Sequence, residues 1–140
     1  MVELDKLASK FEVNVGIEVA DFFLLADRFE LLYELNLHKI GITLDVGHLE
    51  ASGGYRNFGT IGKVIRRFSD KILHFHIHDY NGEQDHLVIG KGKIDFDNII
   101  SILKKVNYCG TLMLELNPQF ISSEEEIILC RDKLRKLIEK

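Results

Sequence analysis

Histidines at positions 74, 76 and 78 alternate with Leu73, Phe75 and Ile77, and the two carboxylates Asp79 and Asp85 and a further histidine, His86, follow within eight residues. Alternation with a period of two writes a half-polar strand, so three imidazoles share one face and metal-capable, proton-transferring groups gather where the strand ends. Imidazole and carboxylate are the usual ligands for a catalytic divalent cation and the usual carriers of a proton near neutral pH. The elements around this stretch decide what else can reach it.

Val2, Leu4, Leu7, Ala8 and Phe11 recur at helical spacing and predict an amphipathic helix. Residues 13–19 then alternate, with Val13, Val15, Ile17 and Val19 on one face and Asn14, Gly16 and Glu18 on the other. A helix is expected over 21–36, a strand over 40–46, a loop over 47–54 and a helix over 57–68. After the histidine strand come a helix over 96–106, a strand over 111–116 and a last helix to about Lys140, with Ser122, Ser123, Glu125 and Glu126 as capping-box candidates. The order is one helix followed by four strand-helix units, hence parallel strands joined by crossovers.

Each strand carries one apolar face and one face of small or polar residues that ends in Glu18, Asp45, His76 or Glu115. A doubly wound sheet is covered by helices on both sides and tends to be apolar on both, whereas a barrel turns one face to its helices and the other to its axis. The expected fold class is therefore α/β of the (β/α) TIM-barrel type. A complete barrel has eight strands in roughly 250 residues; this chain has 140 residues and four expected strands. It reads as one domain, residues 1–140, forming the C-terminal half of a barrel with helices on its outer face. The ring is completed by a second copy in a homodimer or by an N-terminal half-barrel.

Neighbouring parallel strands lie about 4.8 Å apart, so Glu18, Asp45, His76 and Glu115 can converge on one ion. Three carboxylates and one imidazole suit Mn²⁺, Mg²⁺ or Co²⁺, with Zn²⁺ also possible, and an octahedral ion so held keeps two positions for the oxygens of a hydroxycarbonyl substrate. Taken singly, each residue has a plainer reading: Glu18 or Glu115 as a solvated rim charge, Asp45 as a turn cap, His76 as a core histidine. His74 lies deeper on the face and reads as a buried hydrogen-bonding residue; His78 and Asp79 read as partners that support the ligands.

The segments TLDVGHLEASGG at 43–54, HFHIHDYNGEQDHLVIGKGKIDF at 74–96 and YCGTLMLEL at 108–116 resemble the xylose-isomerase-like TIM-barrel superfamily of sugar (phosphate) isomerases and epimerases, which also contains the endonuclease IV enzymes. The resemblance covers nearly the whole chain as the C-terminal half of that fold. It implies metal ligands at Glu18, Asp45, His76 and Glu115, a substrate-side histidine at His48 and a second substrate-binding histidine at His86. The implied activity is sugar or sugar-phosphate isomerisation or epimerisation through a metal-stabilised enediolate, with Glu18 and Glu115 removing and returning the proton and His48 bonding a reacting oxygen. The alternatives are an endonuclease IV-like abasic-site phosphodiesterase and a non-catalytic half-barrel. Unlike some sugar epimerases of the superfamily, the chain has no arginine between Ile77 and Asp85.

Composition sets the outer bounds. A 46% apolar and 29% charged chain is that of a globular protein. A net charge of −4 argues against holding nucleic acid by phosphate attraction. The first residues lack a signal-peptide pattern and no apolar run is long enough for a bilayer, so a cytoplasmic location is expected, with no membrane partner. Cys109 and Cys130 lack metal or redox spacing and read as reduced structural thiols, and Gly90 and Gly92 as a structural turn.

Overall fold

A computed structural model describes residues 1–18 and 26–140, with side chains for 1–18 and 30–140. The elements in order are α1 (Val2–Lys10), β1 (Val15–Glu18), α2 (Ala26–Glu34), β2 (Ile40–Asp45), α3 (Val46–Ser52), α4 (Ile61–Phe68), β3 (Ile72–Ile77), α5 (Phe96–Lys105), β4 (Thr111–Leu114) and α6 (Glu124–Glu139). The expected start of the second helix at 21–25 and the strand residue Val19 fall outside the described residues.

All four strands are parallel and follow one another across the sheet in chain order, β1-β2-β3-β4. A doubly wound sheet reverses its strand order at a switch point, whereas a barrel segment never does. Among the described residues the sheet is not closed, so they form a partial barrel of the TIM type. The expected fold class holds.

The outward face explains the helices. Ile42, Leu44, Phe75 and Ile77 are fully buried there, with Ile40 and Ile72 close behind. Against them pack Val64, Ile65 and Phe68 of α4, Ile99, Ile102 and Leu103 of α5 and Leu134 and Leu137 of α6. A side chain at Gly62 would run into Ile102, so the glycine lets α4 lie close to α5. α4 begins at Thr60, whose hydroxyl accepts from the Lys63 amide at 3.2 Å, and α5 at Asp95, whose carboxylate accepts from the Asn98 amide at 3.0 Å. α1 is tied to the start of β2 by Asp5, which accepts the His38 and Lys39 amides at 3.0 and 2.6 Å.

Three expectations are corrected. The loop expected at 47–54 is largely helix α3, because Asp45 caps the chain the moment β2 ends. The helix expected over 57–68 splits: a 3-10 turn at Gly54–Phe58 gives way at Gly59, whose φ of 95° no helix continues, before α4 starts at Ile61. In β3 the pairing with β2 slips by one residue beside Ile42, so Ile72 enters the outer core and the half-buried Leu73, expected there, lies against Gly41 instead. The capping box of α6 is half formed: Glu126 reaches back to the Ser122 amide at 2.7 Å, while the side chain of Ser123, the cap residue, makes no capping bond to the helix amides. Both cysteines are free thiols; Cys130 is buried and Cys109 exposed.

Candidate metal and active site

The strand registers pair Glu18 with Thr43, Thr43 with His74, Asp45 with His76, and His76 with Met113. With a period of two, Glu18, Asp45 and His76 therefore lie on one face, and Glu115 joins them just past β4, its amide donating to the Ile77 carbonyl at 3.2 Å. Each of the four offers an atom, and these atoms lie within 4.8 Å of one another. His76 Nδ1 stands 2.6 Å from Glu115 Oε2, 3.7 Å from Asp45 Oδ2 and 3.9 Å from Glu18 Oε2.

Asp45 serves two purposes with its two oxygens. Oδ1 accepts the His48 amide at 2.7 Å as the cap of α3, and His78 Nε2 lies 2.9 Å from the same oxygen. Oδ2 is left facing the inner cluster. The plain cap reading and the ligand reading are thus both accommodated in one carboxylate. Burial alone would push the Asp45 carboxyl up; His78 and the His48 amide more than reverse this and hold it below the ordinary carboxylate range.

His78 is fully buried, and its Nδ1 accepts the His86 amide at 2.8 Å. That fixes the ring proton on Nε2, aimed at Asp45. Burial works against a charged His78, and the Asp45 carboxylate outweighs it and raises the pKa.

His48 projects from the first turn of α3, with Nδ1 3.3 Å from both Glu18 Oε1 and Asp45 Oδ2. His86 holds a left-handed backbone, φ 53°, and stacks on His78 with ring centroids 4.1 Å apart. Its Nε2 lies 4.0 Å from Glu115 Oε1. Asp85, given no role from the sequence, links the two histidines: Oδ1 is 2.9 Å from His86 Nδ1 and Oδ2 4.0 Å from His48 Nε2. The only signal for it was its place directly before His86. His74, expected as a buried hydrogen-bonding residue, is half-buried and stacks edge-on to His76 at 5.2 Å.

Asp79 stands apart from the ligand cluster. Its carboxylate accepts the amides of Tyr80, Gly90, Gly92 and Ile94 at 2.8 to 3.1 Å. Gly90 and Gly92 present their amides to this internal carboxylate, and a side chain at Gly92 would strike it. The expected turn is a nest for Asp79, which shapes the loop that carries His86.

The donor set fits a divalent cation on its own evidence. Among the described residues, Asp45 Oδ2, His48 Nδ1, His76 Nδ1, His78 Nε2 and Glu115 Oε2 are buried and make no hydrogen bond. Buried polar atoms are nearly always satisfied, and the three of these that belong to the Glu18–Asp45–His76–Glu115 group are what a hard cation with oxygen and imidazole ligands would satisfy.

Residues 1–136 match the family described as Xylose isomerase-like TIM barrel, and the chain belongs to that family. It is 38% identical over 140 residues to an uncharacterized protein of Methanocaldococcus jannaschii, covering 97% of this chain and 51% of that one. It is 25% identical over 155 residues to the inosose isomerase of Halalkalibacterium halodurans, covering all of this chain and 53% of the isomerase. In structure it resembles a xylose isomerase domain protein from Planctomyces limnophilus, with a TM-score of 0.78 and 17% identity over 96% of this chain and 50% of that one. The chain thus spans about half the length of the curated relatives it matches. Among the described residues no helix is long and apolar enough to cross a membrane.

Proposed function

From membership in this family we propose that the chain carries the metal-binding and proton-transferring half of a sugar or sugar-phosphate isomerase or epimerase. The observation that supports this most directly is the convergence of Glu18, Asp45, His76 and Glu115, the last three with a buried ligand atom that makes no hydrogen bond. Mn²⁺, Mg²⁺, Co²⁺ or Zn²⁺ held there would supply Lewis acidity to the carbonyl and hydroxyl oxygens of an α-hydroxycarbonyl sugar.

The remaining work falls to side chains of this chain. Glu18 and Glu115 come from the first and last strands, so they approach the cluster from opposite sides. One carboxylate takes the proton from the carbon beside the carbonyl; the C–H electrons form the C=C bond and the carbonyl oxygen takes up negative charge. Return of a proton to the same carbon from the other side gives the epimer; return to the neighbouring carbon, with the hydroxyl proton passing to the former carbonyl oxygen so that the hydroxyl carbon becomes the new carbonyl, gives the isomer. His48 and His86, both beside the cluster, are placed to hydrogen-bond substrate oxygens, and His78 keeps Asp45 turned toward the centre.

The phosphodiesterase alternative calls for further metals. Asp45, His48, His78 and His86 form a second group with ligand atoms within 4.8 Å, but both nitrogens of His78 face partners within the protein, which favours the single-centre reading.

Incubation of the Mn²⁺-loaded protein with neutral and phosphorylated ketoses in D₂O tests the proposal by proton NMR. Exchange of the proton beside the carbonyl is expected, and loss of it by at least about 100-fold in Glu115→Gln, the range a missing general base produces. Metal uptake without exchange on any ketose, together with cleavage of an abasic-site duplex, would reverse the ranking; no metal uptake would leave a non-catalytic half-barrel.

A further inference from the structure

Asp85 lies outside the four-residue ion-binding set, and its two oxygens turn to the two histidines that border it. Oδ1 is 2.9 Å from His86 Nδ1, and Oδ2 is 4.0 Å from His48 Nε2. The His86 contact holds the Asp85 carboxyl below the ordinary carboxylate range, and a carboxylate only accepts hydrogen bonds. His86 Nδ1 is therefore the donor, and in the neutral imidazole Nε2 is left as an acceptor. That nitrogen faces Glu115 Oε1 across 4.0 Å. Stacking on His78 at 4.1 Å and the bond from the His86 amide to His78 Nδ1 at 2.8 Å hold the ring and its backbone in place.

The side of the cluster formed by His48, Asp85 and His86 thus presents two acceptors, Asp85 Oδ2 and His86 Nε2, and these call for a group that donates. The 4.0 Å between His48 Nε2 and Asp85 Oδ2 is too long for a hydrogen bond and matches one oxygen placed about 2.8 Å from both ends. A hydroxyl suits that position, because it donates to the carboxylate and has lone pairs for the imidazole. A phosphate ester near neutral pH brings close to two negative charges and mostly acceptor oxygens.

The loop that carries His86 has already used the groups with which it would hold a phosphate. The Gly90 and Gly92 amides, the kind of backbone that cradles an anion, donate to Asp79 at 2.8 and 2.9 Å. Lys91 pairs with Glu126, and Lys93 lies over the Tyr80 ring at 4.9 Å.

We propose that Asp85 is a positioning and specificity residue, which fixes His86 with an accepting Nε2 and selects an uncharged polyhydroxy ketose over its phosphate esters. The proposal rests on the reading of the cluster as a sugar site and narrows its substrates to sugars with hydroxyls on the His48–Asp85–His86 side.

NMR on the Mg²⁺-loaded chain tests this without turnover. Long-range nitrogen–proton correlations should place the His86 proton on Nδ1. In Asp85→Ala the ring should pass to the Nε2–H form that an unrestrained imidazole prefers; in Asp85→Asn, whose amide oxygen still accepts, it should not. Titrations with D-fructose, D-fructose 1-phosphate and D-fructose 6-phosphate should show both esters binding at least about 10-fold more weakly than the free sugar, the effect of a dianion set beside a fixed carboxylate. Asp85→Asn removes the charge and should narrow that ratio to about 3-fold or less. The Asp85 side chain is 42% exposed, so both variants should keep the helical circular dichroism. An ester bound as tightly as fructose, a ratio unchanged in Asp85→Asn, a wild-type His86 proton on Nε2, or no binding of any of the three overturns the proposal. The expected ratios and ring form without proton exchange in D₂O would bear it out and sink the catalytic reading alone.

Discussion

β2 and β3 run through the middle of the sheet with six residues each, and every residue of β2 is buried. β1 and β4 contain no fully buried residue among those described: β1 is half-buried apart from the exposed Gly16, and β4 alternates exposed and half-buried positions. The ligand set divides along the same line. Asp45 and His76 come from the central strands, where Asp45 is held by the His48 amide and His78; Glu18 and Glu115 come from the edges, and among the described residues their carboxylates meet His48, His76 and His86. The buried Asp45 at the centre and the more exposed carboxylates at the rim fit the proposed roles, in which all four residues hold the ion and Glu18 and Glu115 also move the proton.

The contrast can be broken by mutation. Phe75→Ala, in the fully buried centre, should cost about 4 kcal/mol of unfolding free energy by urea titration, the usual loss for a buried aromatic. His78→Ala should leave the fold in place and weaken Mn²⁺ binding by about 10- to 100-fold in calorimetry, because Asp45 loses the neighbour that orients it. Leu114→Ala, on the half-buried edge strand, should cost only about 1.5 kcal/mol in the same urea assay, since part of its apolar surface already meets water. Equal losses at Phe75 and Leu114 would mean that the edge is as well packed as the centre. Unchanged metal affinity in His78→Ala would mean that Asp45 needs no outside support.

Much of the architecture was legible because period-two alternation needs no tertiary information. The inward phase of Gly41, Thr43 and Asp45, or of His74 and His76, follows from strand geometry alone, and the convergence of four strand ends follows from parallel order. What escaped was set by contacts distant in sequence. The one-residue slip in β3 depends on its pairing with β2, so the choice of Ile72 over Leu73 for the core could not be read from β3 alone. Helix α3 was missed because GHLEASGG looks like a loop until Asp45 is seen to cap it. Asp79 looked like a supporter of the metal ligands by its nearness in sequence, but its carboxylate turns instead to amides 11 to 15 residues further on.

By itself the sequence determined the strand phases, the fold class and the set of residues able to reach one point, because side-chain alternation and strand order are local properties of the chain. Only the tertiary structure decided which oxygen of Asp45 faces the centre, which nitrogen of His78 carries the proton, and that Asp85 bridges His48 and His86. Those are matters of direction within a few ångströms, and direction is set by the packing of β2, β3 and the His86 loop against one another.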